Sequence, residues 1–213
     1  KADIYQVHAL NGTIPGYVLQ GNKLSFEDFK LTVVYRYTYN GEEMEEVYLI
    51  GLDDANLSLN CTEDTFDYVT PGDRIIQFTY DTKEPDPENE GQTLKLYASA
   101  KVIVKGVTSI EVVPGSILTT VKKGQTVDDS ELQVKVNYSD GTYLYVSRSE
   151  LKSVSSIDTT TVGKKTLTVT YAGYNDTDYT ATMVITVVDT ADASSGMICA
   201  AILPDDILVR DTY

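Results

Sequence analysis

An all-β protein, folded as two successive antiparallel sandwiches of about seven strands each, is what three features of this 213-residue sequence predict. The first is self-similarity: "YVTPGDRIIQFTY" (Tyr68 to Tyr80) has a near twin in "TTTVGKKTLTVTY" (Thr159 to Tyr171), with Gly72 over Gly163 and Tyr80 over Tyr171 at an offset of 91. A repeat of this period marks a duplicated structural unit. The second is period-two alternation of apolar and polar residues, the pattern of a half-buried strand. The third is composition: 16 Tyr against four Phe and no Trp, in a chain rich in Thr and Val, suits pleated surfaces open to water on one side.

The elements follow in order. "YQVHAL" reads as the first strand and contains His8, the only histidine. "GNKLSFEDFKLTVVY" (Gly21 to Tyr35) aligns without a gap on "GQTVDDSELQVKVNY" (Gly124 to Tyr138) at an offset of 103, and the same offset carries Asn11–Ile14 onto Pro114–Ile117. In the first copy Phe29, Leu31, Val33 and Tyr35 alternate with Lys30, Thr32 and Val34; in the second Leu132, Val134, Val136 and Tyr138 alternate with Gln133, Lys135 and Asn137. Each strand runs into a turn pair, Asn40-Gly41 or Asp140-Gly141, whose residue types suit the positive φ angles of a two-residue hairpin. Gly72 and Gly163 supply a second turn before "RIIQFTY" and "KTLTVTY". A final strand, Tyr97–Lys105 or Tyr179–Val187, aligns at 82. The falling offset places longer connections in the first copy, between Tyr35 and Gly72 and between Tyr80 and Tyr97.

No helical periodicity long enough for a crossover helix is present, so a parallel α/β sheet is excluded. The predicted organisation is a first module over 1–106, a second over 107–189, and a tail over 190–213. The first module's last strand runs almost directly into "KGVTSIEVVPG", a junction that favours a stiff end-to-end rod over loosely tethered beads.

Charge excludes whole classes of function. Lys and Arg total 17 and Asp and Glu 32, a net charge of -15, which repels phosphate backbones and anionic membranes. Nucleic-acid and lipid-surface roles are not expected, and no apolar run reaches the ~18 residues that a spanning helix needs. Cys61 and Cys199 fall in different halves; one long-range bridge and two buried thiols are both open, and a small disulfide framework is excluded.

At this point four pieces, "SIEVVPGS", "VKKGQTVDDSELQVKVNYSDGT", "VSSIDTTTVGKKTLTVTYAG" and "TATMVITVV", occur in an order that resembles a bacterial immunoglobulin-like domain over Val107 to Asp189. The first module, from Asp3 to Gly106, is similar but more divergent, with Asn40-Gly41 for Asp-Gly and Pro71 for Val. The resemblance implies two tandem immunoglobulin-like sandwiches in a secreted or surface-attached bacterial protein, where such domains act as spacers, adhesive modules or accessory domains. They also occur on phage virions. It implies no catalytic residues.

The residues agree that this is not an enzyme. One histidine and two distant cysteines supply neither a triad nor a His/Cys zinc site, and chance pairs among 32 carboxylates do not make a glycosidase without a cleft. No cofactor is expected. The loop "DTKEPDPENEGQ" (Asp81 to Gln92) places Asp86, Glu88 and Glu90 as in the first half of a calcium loop, but Pro87 intrudes and Tyr97 stands at the closing Glu position. Tyr37 and Tyr39, and Tyr143 and Tyr145 past the second hairpin, are candidates for stacking on sugar rings. The apolar tail around 197–209 is a candidate contact with a neighbouring domain or subunit. The expected function is therefore a non-catalytic extracellular stalk or adhesion segment meeting a cell-surface protein or glycan. A carbohydrate-binding accessory module and a phage virion component are the alternatives.

Overall fold

Within residues 3–189, which the computed structural model describes, the repeated segments fold the same way twice. One unit ends at Gly106 and the other starts at Val107.

The first unit contains β1 (Asp3–Ala9), β2 (Tyr17–Leu19), β3 (Lys30–Tyr39), β4 (Glu42–Gly51), β5 (Leu57–Leu59), β6 (Gly72–Pro85) and β7 (Thr93–Lys105). They form a three-stranded sheet, β1-β3-β4, and a four-stranded one, β2-β7-β6-β5. The second contains β8 (Val107–Val112), β9 (Thr120–Lys122), β10 (Gln133–Tyr138), β11 (Tyr143–Ser147), β12 (Ser153–Val154), β13 (Gly163–Ala172) and β14 (Asp178–Val188). Its sheets are β11-β10-β8 and β12-β13-β14-β9. Among the described residues there is no α-helix, only two single-turn 3₁₀ segments.

Pairing is antiparallel except at β2–β7 and β9–β14, which are parallel. Parallel neighbours need a long crossover. Here most of each unit lies between the two strands and serves as one.

Alternation does what the sequence requires of it. Leu31 and Val33 from β3 are fully buried with Ile76 and Phe78 from β6 and Val102 and Val104 from β7, and Phe26 stacks on Phe29 with centroids 4.5 Å apart. In the second unit Val134 and Val136 take the places of Leu31 and Val33, with Leu167, Val169, Ile185 and Val187 also buried. Each such side chain contributes about 1.5–3 kcal/mol by leaving water, and these residues define the two cores.

Two sequence expectations are corrected. The last strands align at 83, not 82: Gly72 pairs with Val104 and Gly163 with Val187. At 82 the buried Val102 would fall on Val184, which is 52% exposed, because a one-residue slip turns every side chain to the other face. The second unit's hairpin is also longer than two residues. Tyr138 donates its N–H to the Thr142 carbonyl (2.9 Å) and Gly141 donates to Tyr138 (3.0 Å). This leaves a three-residue loop in which Gly141 alone has positive φ, +81°, the pattern of a type I turn with a glycine bulge. Asn40-Gly41 does make the two-residue turn, with φ of 52° and 86° and Tyr39 opposite Glu42.

Candidate functional site

The units differ in length at this hairpin. Leu31 pairs with Ile50 and Val134 with Val146, so the offset falls from 103 to 96 across the turn. The β3–β4 ribbon is correspondingly longer than β10–β11, and β4 is exposed over most of its length.

A two-residue turn fixes which side chains share a face. Val33 stands opposite Tyr48, Tyr35 opposite Glu46 and Tyr37 opposite Met44, and directly opposed residues point to the same side of a sheet. Leu31 and Val33 place that side on the core. The ribbon therefore continues the core-facing surface outward with tyrosines where the sandwich itself has aliphatic residues.

Tyr35, Tyr37, Glu46 and Tyr48 line an open cleft of about 620 Å³. The Tyr35 and Tyr48 rings meet edge to face, with centroids 5.0 Å apart and planes at 83°. Tyr37 donates its hydroxyl to Glu46 Oε1 at 2.7 Å, and Tyr48 donates to Glu46 Oε2. The phenols of Tyr48 and Tyr37 hold the Glu46 carboxyl below the usual carboxylate range, and their hydrogen bonds to it raise both phenols above theirs. At neutral pH Tyr37 and Tyr48 are thus neutral and Glu46 is an anion. Beside the cleft, buried Tyr80 has its pKa pushed up to about 12, by burial first and by side-chain hydrogen bonding with Tyr35 second.

The ribbon's opposite face has the same kinds of group with a cation in place. Glu45 accepts from Tyr5 (2.5 Å) and from Arg36 Nη2 (3.0 Å), and the Arg36 guanidinium lies 4.1 Å from the Tyr5 ring centroid.

Of the tyrosines singled out by sequence, Tyr37 is in the cleft. Tyr39 is 63% exposed at the ribbon tip and is not part of the lining. Tyr143 and Tyr145 project together from β11, with centroids 5.4 Å apart and Lys135 Nζ 4.7 Å from the Tyr143 centroid. Tyr48 and Glu46 escaped the sequence reading, although Asn40-Gly41 carried the signal, since a two-residue turn there sets every cross-strand pair.

In the loop after β6 the carboxylate of Asp86 is engaged within the loop itself, by Asn89 Nδ2 (2.8 Å) and the Glu88 N–H (2.9 Å). Among the described residues no three His, Cys, Asp or Glu side chains, Asp86, Glu88 and Glu90 included, come together as a metal-holding group. His8 lies exposed on β1. Cys61 is half-buried, and burial pushes its thiol up. Cys199 and the apolar stretch 197–209 lie outside the described residues.

The described chain is thus a pair of duplicated seven-stranded sandwiches, a class of module that presents loops and strand faces from a rigid frame. Residues 119–187 match the family model of the bacterial Ig-like domain (group 3), which takes in nearly all of β9 to β14. Domains of that family are generally non-catalytic and often extracellular. No curated protein matches the chain.

Proposed function

We propose that this chain is a non-catalytic stalk or adhesion segment of a bacterial surface or secreted protein, acting outside the cell. The observation that carries the reading is the duplication of one sandwich with only Gly106 between β7 and β8, together with the family match in the second copy. Work of this kind needs folded spacing and an exposed partner-binding surface rather than a reacting centre. Antibody raised against the chain is expected to label intact producing cells or their culture medium, and external protease to remove the cell-bound signal. Labelling that appears only after lysis overturns the reading.

A carbohydrate-binding accessory role is the second reading, favoured by the exposed Tyr143 and Tyr145 pair. Aromatic faces of this sort stack on apolar faces of sugars. Retention on insoluble polysaccharide that Tyr145→Ala removes, with the melting temperature unchanged, would establish it.

A further inference from the structure

We propose that the cleft lined by Tyr35, Tyr37, Tyr48 and Glu46 is an aromatic cage for a quaternary ammonium group of the choline class. The proposal stands on this site alone and is independent of the stalk reading.

Ring shape comes first. A sugar stacks on a flat platform, whereas Tyr35 and Tyr48 stand at 83° to one another and form a corner that suits a compact, rounded group. Aromatic faces carry negative potential and attract cations centred over them.

Charge comes second. Glu46 places an anion in the cleft, and none of the described ion pairs includes it. Each of its oxygens already accepts a tyrosine hydroxyl. A primary ammonium seeks three acceptors; a quaternary one seeks none and requires only ring faces and nearby negative charge.

The molecule supplies a filled counterpart. On the other face of the same ribbon Tyr5 and Glu45 hold the Arg36 guanidinium by ring contact and ion pair. The cleft repeats that tyrosine-carboxylate set with more rings and, among the described residues, no cation in its lining.

The duplication shows that the fold does not require this set. In the second unit Leu144 stands opposite Val136, where the first has Tyr48 opposite Val33. The shorter hairpin there has no counterpart of Tyr37, Thr142 stands at the place of Glu46, and Tyr138, the counterpart of Tyr35, is buried.

The test is titration of the full chain with choline chloride, followed by calorimetry and by tyrosine ring resonances in NMR. Two further probes are used: 3,3-dimethylbutanol, in which carbon replaces the nitrogen, and n-butylamine. Choline is expected to bind saturably and to shift the rings of Tyr35, Tyr37 and Tyr48, and the neutral isostere is expected to have no such effect. Tyr48→Leu, which copies the second unit, should weaken choline about tenfold, and Glu46→Gln about fivefold, with circular dichroism unchanged. No saturation, equal response to the isostere, or full binding by folded Tyr48→Leu overturns the proposal. Tighter binding of butylamine overturns the quaternary assignment in favour of a primary ammonium.

Discussion

Asp67 shows how one exposed residue fixes a turn and ties folding to pH. Its Oδ1 accepts the N–H groups of Val69 and Thr70, both at 3.0 Å, and its Oδ2 accepts Arg74 Nη2 at 2.8 Å. The Thr70 and Val69 amides, and then Arg74, hold the carboxyl far below its ordinary value. The native state therefore favours the ionised form. Its contribution is fully present above the unfolded-state pKa of about 3.9 and is lost as pH falls toward the folded value. Asp67→Asn removes the charge and one acceptor. The variant should melt below the wild type at pH 7, and the gap should begin to narrow as pH falls below about 4. Thermal scans from pH 7 to pH 3 check this, and two parallel curves would show that Asp67 contributes nothing through its charge.

At the scale of the element, the two hairpins separate what residue types fix from what register fixes. Asn40 and Gly41 both adopt positive φ, and a Cβ on Gly41 would meet nothing within 4 Å. The cost of Gly41→Ala is therefore backbone strain alone, about 1 kcal/mol. Amides of the ribbon tip are expected to exchange with solvent about fivefold faster in the variant, whereas Asn40→Gly should leave them nearly unchanged. Equal exchange in Gly41→Ala would mean that the tip does not hold the turn in solution. Asp140-Gly141 looks much like Asn40-Gly41 in sequence, yet Tyr138 closes a three-residue loop there. Alternation identified the buried faces of β3 and β10 because a period of two survives any choice of partner. It left the last strand one residue out because "YASAKVIVK" and "YTATMVITV" match each other well at 82. Only pairing with Gly72 and Gly163 selects 83.

The whole molecule is an experiment in which one sandwich was written twice and only one copy received a long ribbon. Tyr37 was legible in the sequence as a candidate because it alternates with the core on its own strand. Glu46 and Tyr48 were not, because a strand read alone does not name its neighbour. If frame and cleft are separable, residues 36–46 can be replaced by Ser-Asp-Gly-Thr, which copies the loop that joins Tyr138 to Tyr143 in the second unit. The replacement keeps Tyr35, Val47 and everything between them and the core, and loop changes of this size cost little in closure entropy. The shortened chain should retain its strand content by circular dichroism and a cooperative melting transition. It should lose all choline response, since Tyr37 and Glu46 are gone. A chain that no longer folds would show that the ribbon is structural, with its tyrosines extending the core. A chain that folds and still binds would place recognition elsewhere in the protein.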